Sequence, residues 1–249
     1  MTIDLRPDLA RYDDRPVKHR IGFLALSTDH TSERDMQAIA PADEVGIYVS
    51  RVRYENPTTS GNLLAMQPRL AEAASLILSG EELDVIAYSC TAASVMIGDE
   101  RVAASIREAK PGVPVVTPTA AAFAAFAHLG VSRVSLLTPY IEPVTKAMRD
   151  YFENHDLDVI NSACLGIEDD RMMARLSKDA IVEAALATTT TEAEALFISC
   201  TAVRAADVAE RIEEEIKKPV VTSNQAMAWR SLRLAGCDQS IAGFGRLLQ

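Results

Sequence analysis

The sequence predicts an α/β protein built from two copies of one unit, each carrying a parallel four-stranded sheet, with the two copies related by a pseudo-two-fold. Three observations carry this. Short runs rich in Val, Ile and Leu, often unalternated, are separated by longer amphipathic stretches, as expected of strands buried on both faces. The tetrapeptide Ser-Cys-Thr-Ala occurs twice, at 89–92 and 199–202, each time after an apolar run and before a small-residue stretch. The first apolar runs of the two halves, at Ile21 and Arg133, are offset much as Cys90 and Cys200 are, and PVVTP from Pro114 is echoed by PVVTS from Pro219.

Taken in order, strands are expected at IGFLAL (from Ile21), VGIYVS (Val45), DVIAYS (Asp84) and VPVVT (Val113). The second set is RVSLLT (Arg133), LDVINSA (Leu157), EALFIS (Glu194) and KPVVTS (Lys218). GNLLAMQPRLAEAASLILSG has helical spacing, a C-terminal cap at Gly80 and a kink at Pro68. One helix is expected over AASVMIGDERVAASIREA after Cys90, and another over AVRAADVAERIEEEIKK after Cys200, its acidic residues preceding Lys217 and Lys218. AAAFAAFAHLG reads as a buried helix. EPVTKAMRDYFENH starts with Pro143 in its first turn, and AMAWRSLRLAG ends near Gly236. ATTTTEAEA is a helix end plus a turn. The expected division is an N-terminal extension (1–20), a first domain (21–117 with 223–249) and a second (118–222).

The chain of 249 residues is 48% hydrophobic, enough for a sizeable core, which excludes a disordered protein. Its net charge of −10 argues against nucleic acid as a partner, because phosphate would be repelled. The first twenty residues are polar, and no run approaches the roughly 20 apolar residues that span a bilayer. The expectation is a cytoplasmic protein with no membrane partner. Cys90, Cys164, Cys200 and Cys237 form no C-x-x-C pair and have no histidine at ligand spacing, so no metal is expected and the thiols are free. Cys164 reads as buried core and Cys237 as packing at a helix end. No G-x-G-x-x-G or Walker pattern supports a nucleotide.

In open α/β sheets ligands bind beyond the carboxyl ends of the strands, where both repeated cysteines fall. Helix-starting amides there favour an anion and lower a thiol pKa. If the two units face each other, a thiol stands on each wall of one interdomain cleft. Such a pair can exchange protons on opposite faces of a carbon, or one thiolate can add while the other thiol donates a proton.

With these motifs the sequence resembles the aspartate/glutamate racemase superfamily. The branch it is most similar to holds maleate cis–trans isomerase, arylmalonate decarboxylase and the ectoine-utilisation protein EutA. The resemblance runs from about Ile21 to the C-terminus and rests on SCTAAS, LLTPY, ISCTA and LSTDHTSERD. It implies two flavodoxin-like domains, an active site between them, no cofactor, a small carboxylate as substrate and frequent oligomers. It implies Cys90 as nucleophile and Cys200 as acid/base partner. Tyr140 would bind substrate carboxylate, and Thr91 and Thr201 would help hold an enediolate-like anion. The decarboxylase pattern has glycine at the first cysteine, so Cys90 points away from it.

Two positions depart from the isomerase pattern, which has substrate-binding asparagines where this chain has Asp29 and, by a looser alignment that could also fall on Asp169, Asp170. Ionised aspartate only accepts hydrogen bonds, so it repels a carboxylate unless protonated. An ammonium or amidinium group on the substrate would suit Asp29 better. The STDHT run is what the EutA-like members are associated with, and ectoine-type compounds carry such a nitrogen beside a carboxylate.

His30 reads as a solvated loop residue next to Asp29. Arg51 and Arg53, in the loop that follows the strand bearing Tyr48, are candidates for a carboxylate fork or for surface ion pairs. Alternatives to an isomerase or racemase are a metabolite-binding protein with ordinary thiols, an arylmalonate-type decarboxylase, and a redox pair forming a Cys90–Cys200 disulfide.

Overall fold

A computed structural model describes residues 3–249 and contains two four-stranded sheets, parallel throughout. The first half runs β1 (His19–Leu26), α1 (Ser32–Ile39), β2 (Val45–Val52), α2 (Ser60–Leu64), α3 (Leu70–Ser75), β3 (Val85–Tyr88), α4 (Thr91–Ile97), α5 (Asp99–Ala109) and β4 (Val115–Val116). After α6 (Pro118–Leu129) the second half runs β5 (Arg133–Thr138), α7 (Glu142–Glu153), β6 (Asp158–Cys164), α8 (Asp170–Met173), α9 (Lys178–Thr188), β7 (Ala195–Ile198), α10 (Ala209–Ile216), β8 (Val220–Thr222) and α11 (Ser223–Leu234). The strand orders β2-β1-β3-β4 and β6-β5-β7-β8 are the same topology twice, which is the duplicated α/β architecture the repeats predict.

All eight expected strands form. The central strands β1, β3 and β7 are buried along their whole length, with helices closing both faces, so their unbroken apolar runs need no alternation. The edge strands β2 and β6 are half-buried. Cys164, expected in the core, is the last residue of edge strand β6 and is exposed, because no further strand or helix covers that corner.

Three expected helices are interrupted. The stretch 61–80 divides into α2, a 3-10 turn at Gln67–Arg69 carrying Pro68, and α3, because proline cannot continue the amide ladder. The stretch after Cys90 divides at Gly98, whose φ of +93° ends α4 and lets α5 leave in a new direction. After Cys200 no helix begins at all. A turn over 201–203 leads through a 3-10 turn at Ala206–Val208 into α10.

Two helices cross between the halves. α11 follows the second sheet yet packs on α1, β3 and β4, while α6 follows the first sheet yet packs on β8, and the two helices pack on each other. The apolar core is continuous from one sheet to the other. Among the described residues no helix is long and apolar enough to cross a membrane.

Candidate active site

The strands point their carboxyl ends at one another, and a cavity opens between them. It holds about 380 Å³ of space between atoms, part of it open to solvent. Its walls come in matched pairs. Leu26 ends β1 and Asp29 follows it, as Tyr140 follows β5; Tyr54 and Thr58 follow β2, as Asp170 and Met173 follow β6; Cys90–Ala92 follow β3, as Cys200–Ala202 follow β7. All seven residues singled out in the sequence, Asp29, Cys90, Thr91, Tyr140, Asp170, Cys200 and Thr201, therefore line one space.

The two cysteines are free, buried thiols, and no disulfide joins them. Cys90 caps α4 with extended backbone, and the Ala93 amide is directed at its sulfur. Cys200 has φ +99°, a left-handed backbone that non-glycine residues rarely adopt. This turns the Ala202 and Val203 amides toward its sulfur, the first at 3.4 Å, while its own amide donates to Ser223 Oγ at 3.1 Å. The Tyr140 hydroxyl is directed at the Cys200 sulfur, and Cys200 Sγ lies 3.8 Å from Met173 Sδ.

The sequence-based expectation of a lowered thiol pKa is not met. Burial pushes Cys90 up to about 12, the Ala93 amide offsetting only part of that. Burial pushes Cys200 up to about 11 against the opposing pull of Tyr140 and the two amides. The physical reason is desolvation of a thiolate in a small apolar-lined space with carboxylates nearby, together with the missing helix N-terminus after Cys200.

Three further expectations change on contact with the geometry. Asp29 faces the cavity rim, but its carboxylate caps α1, accepting from the amides of Ser32 at 3.0 Å and of Thr31 and Glu33 at 3.3 Å. Thr91 donates its hydroxyl to Ser223 Oγ at 2.8 Å, and Thr201 donates to the Ser89 carbonyl at 3.2 Å, so both protons tie the halves together. Asp169, the neighbour of Asp170, turns away and pairs with Arg171 on the surface. Arg51 holds the Leu26 and Asp29 carbonyls and pairs with Glu33, Arg53 pairs with Glu55, and His30 is exposed, so none of the three offers a fork to the cavity.

Asp170 is the buried carboxylate of the site, 6% exposed. Asn56 Nδ2 donates to its Oδ1 at 2.7 Å, the Thr28 hydroxyl donates to Oδ2, and the Asp170 amide returns a bond to Asn56 Oδ1 at 3.2 Å. Asn56 had escaped notice in the sequence. The available signal was its place in YENPTT at the carboxyl end of β2, where the arginines drew attention instead. Ser223 and Asn224 were missed as well: 223–249 is expected to join the first domain, but a Ser-Asn pair at a helix start carries no chemical signal by itself.

Fold and cavity together define a two-lobed α/β protein with a thiol on each lobe facing one shared cavity. The arylmalonate decarboxylase family model matches residues 67–248, and the chain belongs to that family. It is similar to the maleate isomerase of Alcaligenes faecalis, 24% identical over 247 residues, covering 92% of this chain and 96% of that one. It is also similar to the arylmalonate decarboxylase of Bordetella bronchiseptica, 30% identical over 146 residues, covering 57% of this chain and 60% of that one. Among solved structures, a Nocardia farcinica maleate cis–trans isomerase mutant with a covalently bound succinylcysteine intermediate superposes with TM-score 0.85 at 25% identity, covering 92% of this chain and 98% of that one.

Proposed function

We propose that the protein is a cofactor-independent isomerase of a small carboxylate, with Cys90 and Cys200 as its catalytic pair. The observation that carries this is the meeting of the two repeated thiols in one cavity, each at the carboxyl end of the matching strand. Two routes fit such a pair. In one, Cys90, having given its proton to solvent, adds as the thiolate to a carbon–carbon double bond while Cys200 gives its proton to the neighbouring carbon; rotation about the former double bond and the reverse elimination yield the other geometric isomer. In the other, one thiolate takes a proton from the carbon beside the carboxylate and the opposite thiol returns one to the other face. Either route develops negative charge on the carboxylate and passes through a thiolate, and the amides of Ala93, Ala202 and Val203 are directed at the two sulfurs, where they favour that thiolate. The succinylcysteine of the Nocardia farcinica relative supports the first route for that protein.

A placement beside ectoine-utilisation members is a finer proposal, and with Asp29 occupied as a helix cap its support narrows to Asp170 and the STDHT run. The family description keeps decarboxylation as the second reading, told apart by release of carbon dioxide.

Solvent-deuterium incorporation into a panel of maleate, amino acids and cyclic amidine carboxylates tests the proposal. Label enters one substrate with wild type, and Cys90→Ser and Cys200→Ser each abolish it while the circular dichroism spectrum is retained. Near-normal labelling by both single variants would falsify the two-thiol assignment.

A further inference from the structure

The charge inventory of the cavity is one-sided. Among the described residues no Lys, Arg or His lines it, and its carboxylates are Asp29 and Asp170. Asp29 is turned to the start of α1, its Oδ1 accepting from the Thr31 and Ser32 amides and its Oδ2 from the Glu33 amide. Asp170 accepts one hydrogen bond on each oxygen, from Asn56 and from Thr28, which leaves each oxygen with further acceptor capacity. Among its neighbours on the wall, Tyr54 gives its hydroxyl proton to Thr58 at 2.8 Å, which leaves the Thr58 hydroxyl as the one uncharged donor there, and Met173 has none to give. Donors lie instead at the cysteine end, where the two thiols and the Tyr140 hydroxyl line the wall and the amides of Ala93, Ala202 and Val203 are directed at the sulfurs. The cavity is thus polarised, with donors around the thiols and acceptors around Asp170.

We infer that Asp170 sets the substrate class: a small molecule with one carboxylate, held at the cysteine end, and at its other end a cationic or neutral N–H group that donates to Asp170. A dicarboxylate would lay its second charge against a buried carboxylate with no cation on the wall to offset it. The inference rests on the two-thiol isomerase reading and narrows it. A substrate of this class with a C–H beside its carboxylate is suited to racemisation. One thiolate takes that proton, the electron pair is delocalised into the carboxylate, and the thiol on the opposite wall delivers its own proton to the other face. The two sulfurs have then exchanged protonation states, and nothing is oxidised or reduced.

The Asp170 end of the site is separable from the thiols, and so is its test. Maleate and maleamate share one carbon skeleton and differ by a carboxylate replaced with a carboxamide. Dissociation constants are measured by calorimetry on wild type, Asp170→Asn, Cys90→Ser and Cys200→Ser. Wild type and both cysteine variants should bind maleamate more tightly than maleate by roughly tenfold or more, and Asp170→Asn should erase or reverse that order. Deuterium exchange with 2,4-diaminobutyrate and with a cyclic amidinium carboxylate then separates an ammonium from an amidinium as the donor. Equal or tighter binding of maleate by wild type overturns the inference, as does an order unchanged by Asp170→Asn or failure of wild type to bind either probe. If Asp170→Asn does not fold, the order in wild type decides alone. Turnover surviving in both cysteine variants would remove the two-thiol reading and leave the affinity order to stand by itself.

Discussion

Cys200 sits with φ +99° in a region that costs a non-glycine residue on the order of 1–3 kcal/mol, and the return is two amides aimed at one sulfur. Cys90 achieves part of this without strain, as the residue before α4. The repeated tetrapeptide announced both thiols and their place beyond a strand, but not this asymmetry, because a left-handed residue has no mark in the sequence unless it is glycine or asparagine. Nor did it announce the resting protonation state, which follows from burial. With Cys90 near 12 and Cys200 near 11, both thiols are protonated at neutral pH in the free protein. Iodoacetamide labelling of the two, read by mass spectrometry, should be slow at pH 7 and rise about tenfold per pH unit through the ordinary thiol value of 9.0 without levelling off. A plateau below pH 8 at either cysteine would contradict the burial account.

At the scale of elements, the strands were legible and the helices less so. Period and composition mark a buried strand directly, whereas Pro68 and Gly98 divide helices that look continuous by periodicity. The contacts that fix the site come from helices that cross to the other half. Asn224, at the start of α11, donates to the Thr201 carbonyl at 3.0 Å and to Asp35 of α1 at 2.7 Å, tying the loop after Cys200 to the first sheet. Asp35 is buried, and desolvation pushes its carboxyl up to about 7, with Asn224 and Arg34 opposing and Asp207 and Asp29 adding to the rise. The Asn224 Oδ1 beside it has no partner, which a protonated Asp35 can supply. A carboxyl raised from 3.8 to about 7 favours the fold while protonated, so its contribution is complete below pH 3.8 and is lost as pH rises toward 7. Asp35→Asn should therefore remove a slope of about 1.4 kcal/mol per pH unit across that window and stabilise the protein at neutral pH. Urea unfolding at several pH values measures it, and an unchanged slope would count against a protonated Asp35.

The molecule as a whole is two repeats that cannot be separated without breaking the site. Thr28 and Asn56 reach Asp170, Thr31 donates to the Ala202 carbonyl at 2.8 Å, Thr201 reaches Ser89, and the Thr58 amide bonds the Glu168 carbonyl at 2.8 Å. Each bond runs from one half to the other, and at about 1 kcal/mol apiece they hold the cavity walls in register. The duplication and the cleft could be anticipated from the spacing of repeats. The seam could not, since it depends on which loop meets which across the pseudo-two-fold. Its central consequence is that Cys90 and Cys200, far apart in the chain, face one small space. A short bifunctional thiol reagent tests this directly and needs no knowledge of the substrate. Treated at alkaline pH and digested, the protein should yield a peptide bridged between Cys90 and Cys200, with exposed Cys164 carrying only single modifications. Single modification of Cys90 and Cys200 with no bridge between them would contradict a shared two-thiol site.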